Sequence, residues 1–170
     1  MLMKINFLKF RTGNQLKKNK TPRTSTPYKQ AASVGILFSV EDKRKHDDIK
    51  ELIHKLEHDG KKVQVLEYLP KKKDNYEFMF DFFTLDDISF WGKIESEKTL
   101  KFSDTPFDYL FCIDTEPNPM LLYLLARSKS KCRVGKFQDE ARPFFELMID
   151  SNGSTKSLID GIYKYTAQLK

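Results

Sequence analysis

Short apolar runs separated by helical patterns constrain the fold of this chain more than any other feature of its sequence. SVGILFSV at 33–40 is apolar almost throughout, as is typical of a strand buried on both faces of a parallel sheet. KVQVLEYL at 62–69 and FDYLFCID at 107–114 have the same length, and CRVGKF at 132–137 and FFELMID at 144–150 are slightly shorter. The sequence predicts a strand in each of these runs.

Amphipathic helical patterns lie between the runs. The first predicted helix has an apolar face formed by Ile49, Leu52, Ile53 and Leu56. Asp47 and Asp48 suit the first turn of that helix, and Gly60 lies where a left-handed C-cap belongs. Pro119 suits the first turn of a second helix, and Ser154 is a fitting N-cap for a third. Because alternating strands and helices form right-handed βαβ units, we expect a Rossmann-like, three-layer α/β/α sandwich with a mostly parallel sheet of about five strands.

Residues 74–94 are dense in aromatic side chains. The pattern indicates a loop, a helical turn near 85–87 and a strand through 88–94. Aromatic residues clustered in a small domain usually belong to its core, and this interpretation is favoured over a base-stacking surface. The residues concerned are Tyr76, Phe78, Phe80, Phe82, Phe83, Phe90 and Trp91.

Positive charge is concentrated at the N-terminus. Eight of the 30 Lys and Arg residues lie in residues 1–30, which contain no Asp or Glu, and this leaves 22 basic against 24 acidic residues in 31–170. Residues 11–30 lack an apolar period and are predicted to be extended or disordered on their own. Residues 1–10 predict a short amphipathic turn, through Leu2, Ile5 and Leu8. The chain is therefore divided into a basic arm, 1–30, and one α/β domain, 31–170.

The cysteines and the hydropathy pattern bear on the compartment. Cys112 and Cys132 stand in strand-like apolar runs, which indicates two reduced, buried thiols and favours the cytoplasm. No stretch approaches the ~20 apolar residues of a spanning helix. Lys4 and Lys9 interrupt the apolar run that a secretory signal needs.

The predicted ends of the strands are acidic and offer little for catalysis. The first strand–helix turn, SVEDKRKHDD at 39–48, has no glycine to bring backbone amides to a phosphate, and no Walker or nucleophile-elbow motif occurs. Asp114, Glu116 and Asp150 could hold a divalent cation, but helix capping explains such residues more simply. His54, Glu57 and His58 match a zinc-protease pattern on the solvent side of a helix, without a third ligand. The sequence thus predicts no catalytic residue, metal or cofactor.

The basic arm is the most specific functional signal. Cations without neighbouring acids bind phosphate backbones without reading sequence, and Phe7, Phe10 and Tyr28 could stack on bases. The expected function is non-catalytic binding of RNA, with ribosomal RNA and the ribosome as the expected partners. The predicted phosphate contacts are Lys4, Lys9, Arg11, Lys17, Lys18, Lys20, Arg23 and Lys29 in the arm and Lys71, Lys72, Lys73, Lys129, Lys131 and Arg133 on the domain.

Three alternatives stay open. The arm could be a solvated leader without a partner. It could bind an anionic membrane surface through Leu2, Ile5, Phe7 and Leu8. The domain could instead be a small Rossmann-like enzyme or nucleotide-binding module that acts at its acidic strand ends.

Several segments together resemble an uncharacterised bacterial family built on a domain of unknown function. They are the SVGILF strand, SFWGKI, FDYLFCID with NPMLLYLLARSKSKCRVGKF, and the ending ELMIDSNGS with LIDGIYKYTAQLK. The resemblance covers nearly the whole chain and implies a Rossmann-like domain with no activity attached to it. The third segment is also similar to one strand–helix–strand unit of heptosyltransferase-type glycosyltransferases, which implies a shared scaffold.

Overall fold

A six-stranded, all-parallel sheet forms the middle layer of the protein. The computed structural model describes the backbone of residues 1–170 and every side chain except that of Phe78. In chain order the strands are β1 (Ser33–Ser39), β2 (Lys62–Tyr68), β3 (Asp81–Phe83), β4 (Tyr109–Cys112), β5 (Cys132–Lys136) and β6 (Leu147–Ile149). Their order across the sheet is β3-β2-β1-β4-β5-β6, the doubly wound arrangement of Rossmann folds.

Helices cover both faces of the sheet. They are α1 (Leu2–Lys18), α2 (Lys43–His58), α3 (Glu97–Asp104), α4 (Pro119–Arg127) and α5 (Thr155–Ala167). One apolar cluster joins α2 and α5 to the sheet, and a second joins α1, α3 and α4 to the opposite face. Successive side chains of β1 point to opposite faces of the sheet, so Ile36 and Phe38 belong to the first cluster and Leu37 belongs to the second. The predicted three-layer, Rossmann-like fold is confirmed, with six strands rather than about five.

The aromatic block contains the principal error in the strand assignment. The predicted strand at 88–94 is wrong, because only one antiparallel bridge, between Ile88 and Ile94, closes a turn there. The sixth strand lies earlier, at Asp81–Phe83, and the helical turn at Leu85–Asp87 is confirmed. Phe83 is buried in the core, whereas Phe90 and Trp91 are exposed, and the side chain of Phe78 lies outside the described residues.

Helix boundaries follow capping side chains. Asp42 accepts a hydrogen bond from the backbone N–H of Lys45 and begins α2, so Asp47 and Asp48 lie in its second turn rather than its first. Asn118 caps α4 in the same way, ahead of Pro119. The predicted N-cap at Ser154 is confirmed by its bond from Ser157 N–H.

The expectation that residues 11–30 do not pack is wrong. The first helix runs to Lys18, and it packs along α4 with Leu8 fully buried and Ile5 and Leu16 partly so. Thr12 lies on this inner face and satisfies its hydroxyl on the Leu8 carbonyl at 2.9 Å. Gly13 lowers the intrinsic helix propensity, and a Cβ at this position would meet no atom within 4 Å. The helix is therefore stabilised by burial of its inner face rather than by propensity.

The segment after α1 runs extended along the domain and is tied to it by backbone hydrogen bonds. Thr24 N–H donates to the Lys131 carbonyl at 3.0 Å, and Tyr28 N–H donates to the Leu169 carbonyl at 3.0 Å. The Tyr109 hydroxyl donates to the Thr26 carbonyl. The basic N-terminal residues are therefore presented on a fixed scaffold.

Gly92 is the point of closest approach between α1 and the domain. A Cβ there would lie 2.5 Å from the Leu8 nitrogen and 2.7 Å from the Phe7 carbonyl carbon, and the residue has φ of +71°. We expect Gly92→Ala to lower the free energy of unfolding by about 2–4 kcal/mol, since it adds a backbone clash to left-handed strain of about 1–2 kcal/mol. Urea unfolding followed by circular dichroism would measure the loss.

Gly60→Ala is the matched control for this prediction. Gly60 also has a positive φ, +81°, but a Cβ there would meet nothing within 4 Å. Gly60→Ala should lower the free energy of unfolding only by the strain contribution of about 1–2 kcal/mol. Equal losses in the two variants would contradict the close packing of α1 against Gly92.

Candidate functional site

An ion pair occupies the point where doubly wound folds usually bind ligands. The strand order reverses between β1 and β4, and Lys45 lies there, only 2% exposed. Its Nζ is 2.9 Å from Glu41 Oε1 and 2.9 Å from Asp114 Oδ1. Asp114 also accepts from the Ser39 N–H at 2.8 Å and the Ser39 hydroxyl at 2.6 Å. The protein's own groups thus satisfy Asp114, one of the three carboxylates considered as cation ligands.

The other acidic residues predicted at this edge do not join Asp114. Glu116 and Asp150 are exposed in separate loops. Among the residues that the structure describes, no three His, Cys, Asp or Glu side chains come together to hold a metal ion. His54 and His58 are exposed on α2, as the sequence pattern indicates.

Both cysteines are buried and unpaired, as predicted. Burial raises the pKa of the Cys112 thiol far above its ordinary value, and the Asp114 carboxylate adds to the effect. Burial also raises the pKa of Cys132. An activated nucleophile requires the opposite shift, so neither thiol is suited to nucleophilic chemistry.

One buried titratable pair lies inside the α2 face. His46 Nε2 is 3.0 Å from Glu67 Oε2, with the side chains 1% and 0% exposed. The imidazole sits among Phe38, Tyr76 and Phe80, whose ring centroids are 5.2–5.8 Å away. In the described part of the chain neither side chain makes an aligned hydrogen bond, so the two polar groups lie close together without a directed bond. Its enclosure by aromatic rings indicates a structural role.

The N-terminal helix carries the exposed positive charge. Lys9, Lys17 and Lys18 are exposed on α1, which contains no acidic residue. Lys20 and Lys29 are exposed in the extended segment that follows. Within the described structure none of these five comes within 4.0 Å of a carboxylate, so their charges are open to an external anion.

The ends of α1 and α4 bring several of these cations together. Asn19 Nδ2 donates to the carbonyls of Ala126 and Ser128, each at 2.9 Å, at the C-terminal end of α4. Lys18 and Lys20, the neighbours of Asn19, are therefore held close to Lys129, which follows Ser128. We call the exposed residues Lys17, Lys18, Lys20 and Lys129 the basic corner. In the described structure Lys129 is the one member with a carboxylate in reach, since its Nζ lies 4.0 Å from Asp104 Oδ1.

Besides Lys129, three predicted RNA contacts form closer ion pairs within the protein. Arg133 is buried and its guanidinium lies 2.6 Å from Glu146, while Arg23 Nε lies 3.7 Å from the same carboxylate. Lys131 is 2.7 Å from Asp108. Burial opposes ionisation of Asp108, but the Lys131 bond and two backbone amides outweigh it and lower the pKa of Asp108. These residues hold the N-terminal segment and β-strands in place, so we leave them out of the candidate surface.

The remaining predicted contacts are spread over the molecule. The three lysines of 71–73 are exposed beyond the carboxyl end of β2. Lys129 precedes β5 and so lies at the amino ends of the parallel strands, on the opposite side of the molecule. Lys4 and Arg11 turn toward the loop next to α1, with Arg11 Nε donating to the Trp91 carbonyl at 2.8 Å. The structure therefore does not bring all predicted cations into one continuous track.

An aromatic groove runs beside the basic helix. It has a volume of about 700 Å³, and we call it the Trp91 groove. Trp91 is 61% exposed and Phe10 is 69% exposed, whereas Tyr28, predicted as a stacking residue, is buried on the other face of the sheet. The groove is lined by Met3, Asn6, Phe7, Phe10, Arg11, Asn14 and Trp91.

The Trp91 groove combines residues that are distant in sequence. The sequence predicts Phe7 and Phe10 as stacking residues, but it places Trp91 in the core with its aromatic neighbours. The signal that could have found it is Gly92, because the sequence SFWGK at 89–93 is typical of a tight turn, and turns usually lie at the surface.

The layers and the strand order define a Rossmann-like α/β protein whose N-terminal helix completes one outer layer. The chain belongs to a family of unknown function, DUF6913, whose sequence model matches residues 4–169 and so covers the basic helix from Lys4 onward and every residue of the Trp91 groove except Met3. No curated protein matches the chain. None of the helices in the described structure is long and apolar enough to cross a membrane.

Proposed function

We propose that this protein is a non-catalytic, cytoplasmic RNA-binding protein, and that ribosomal RNA in the ribosome is its target. The observation that carries the proposal is the acid-free helix α1, which presents exposed Lys9, Lys17 and Lys18 from a fixed position. Cations of this kind neutralise phosphates and release condensed counterions. The fold supports the proposal by holding the charges in place.

Preorganisation distinguishes this surface from a disordered basic tail. Leu8 is buried against the domain and Asn19 is bonded to the end of α4, so the middle and the C-terminal end of the basic helix are fixed. A helix already in place loses less conformational entropy on binding than a tail that must first fold. Phosphate contacts from such a surface fix position and orientation but do not read sequence, which suits a structured RNA.

The sheet edge supports the non-catalytic part of the proposal. A nucleotide or metal there would have to displace Lys45 from two carboxylates. Breaking a buried ion pair of this kind is unfavourable by roughly 3–5 kcal/mol. We therefore favour binding over the enzyme alternative.

A membrane surface is the second candidate, because Leu2, Met3 and Phe10 are exposed beside the lysines of α1. However, Ile5 and Leu8, two of the four residues predicted to insert, pack onto the domain instead. The groove between the exposed apolar residues is also lined by Asn6 and Asn14, and amides are poorly suited to an acyl boundary. RNA is accordingly the first proposal.

Affinity for ribosomal RNA as a function of salt tests the function. We expect filter binding at low salt, with a slope of log K against log salt of about −3 to −4, as four or five phosphate contacts would give. Sedimentation of tagged protein with ribosomes should show the same salt dependence. No association at low salt, or an affinity indifferent to salt, would overturn the proposal. Flotation with anionic vesicles in the absence of RNA binding would favour the membrane.

A further inference from the structure

We infer that the Trp91 groove binds an unpaired nucleobase of RNA, with the indole of Trp91 as its stacking platform. The inference rests on the proposed function and adds the class of RNA that the surface selects: strands, loops or bulges whose bases are free to leave a helix. It depends on the rigidity of the platform, the chemistry of the groove and the charge around it.

Trp91 is exposed but held rigidly. Its carbonyl accepts from Arg11 Nε at 2.8 Å, and its ring lies edge-on to Phe7 and Phe90, with both centroid distances 5.2 Å. The next residue, Gly92, is pressed against the backbone of α1. An aromatic ring fixed in this way can receive a base with little loss of its own freedom, and such stacking is favourable by roughly 1–3 kcal/mol per base.

The groove has the size and polarity of a small-ligand site. Its volume of about 700 Å³ lies within the usual range of roughly 300–1,000 Å³ for such sites. Phe10 supplies a second exposed ring, and Asn6 and Asn14 supply amides, which can both donate to and accept from the edge of a base. In the structure as described, the two terminal nitrogens of Arg11 have no protein partner, so they can donate to a phosphate or a base.

The surrounding charge selects a nucleic acid over a neutral apolar partner. The helix that forms one wall carries lysines and an arginine and no acid. A phosphate backbone attached to the bound base would run beside Lys9, Lys17 and Lys18, which are free of internal ion pairs within the described structure. The groove and the basic surface thus fit two parts of the same nucleotide chain.

The single tryptophan makes this inference directly measurable. Because Trp91 is the only Trp of the chain, all indole emission comes from the groove. We expect a mixed-sequence single-stranded RNA of about ten nucleotides to quench this emission in a saturable way in the full-length protein. A blunt RNA duplex of equal charge should bind electrostatically and quench it little, since its bases are already stacked.

Substitution then separates stacking from charge. Trp91→Ala should weaken single-strand binding roughly 5- to 100-fold and duplex binding less than 2-fold, and Trp91→Phe should retain most of the affinity. Tyr165→Ala, which removes an exposed ring from α5 on the opposite face, is the matched control and should change neither affinity. If Trp91→Ala failed to fold, quenching of the wild-type protein and the Trp91→Phe affinity would still decide the question.

The possible failures are distinguishable. Salt-dependent binding of both RNAs with unchanged Trp91 emission and an unaffected Trp91→Ala variant would overturn the groove assignment and leave the proposed function standing. Failure to bind either RNA would overturn both. A blue shift of Trp91 emission with anionic phosphatidylserine vesicles, in the absence of an RNA response, would likewise overturn both in favour of a membrane.

Discussion

Replacing Lys17, Lys18 and Lys20 together by glutamine is expected to weaken binding to ribosomal RNA roughly 100-fold at 0.1 M salt and to reduce the salt slope by about 2–3. The magnitude follows from counterion release, since each lost phosphate contact removes about 0.7–0.9 from the slope. All three lysines are exposed at the basic corner and, in the structure described, without an internal ion pair. Filter binding of wild type and variant across a salt series measures both quantities.

A triple replacement of Lys71, Lys72 and Lys73 by glutamine is the matched control. It removes the same number of charges from another group of exposed lysines, which lies beyond the carboxyl end of β2 and away from the basic corner. We expect this variant to lose less than about 3-fold in affinity, through the long-range potential alone. Equal losses in the two variants would show that net charge rather than the basic corner carries the binding, and would contradict the proposed interface.

The sequence was sufficient to predict the elements whose local pattern agrees with their final environment. Both β1 and β4 are apolar on both faces and lie at the centre of the sheet, and α2 has one continuous apolar stripe. For such elements burial, spacing and capping residues favour the same structure. The three layers then follow from the alternation of strands and helices, whereas the doubly wound strand order comes from the structure.

The N-terminal helix could not be predicted in the same way. Its inner face includes a threonine, and Gly13 and Asn14 lower its propensity, so it lacks a local signal beyond the first ten residues. It is stable because α4 and Gly92 provide a surface that it fits, and neither is near in sequence. The candidate site shares this limit, since Trp91 and Phe10 meet only when that helix docks.

The ion pairs show why a charge count is a weak guide to a binding surface. Arg133 and Lys131 belong to a basic stretch in the sequence, but each pairs with a carboxylate that another loop supplies. Asp114 likewise was one of three candidate cation ligands, and Lys45 from the first turn of α2 neutralises it. Which charges remain free depends on tertiary pairing, so only the structure separates the phosphate contacts from the structural ones.

His46→Phe is expected to have the largest effect on stability of any variant considered, lowering the free energy of unfolding by about 3–5 kcal/mol. Phenylalanine can occupy the aromatic enclosure formed by Phe38, Tyr76 and Phe80, so little packing should be lost. The buried Glu67 side chain, however, would be left in the core without its imidazole partner, and removal of one partner from a buried pair has a penalty of this size.

The double variant His46→Phe with Glu67→Met tests that explanation, because it removes the stranded charge together with its partner. We expect it to recover most of the lost stability, since a buried pair replaced by apolar residues of similar volume is often neutral or stabilising. Urea unfolding of both variants measures the coupling, and RNA affinity should be unchanged in the folded double variant. Additive losses, or a single variant as stable as wild type, would contradict a stabilising contact between His46 and Glu67. Lost RNA binding in a stable double variant would instead make this pair part of the functional surface.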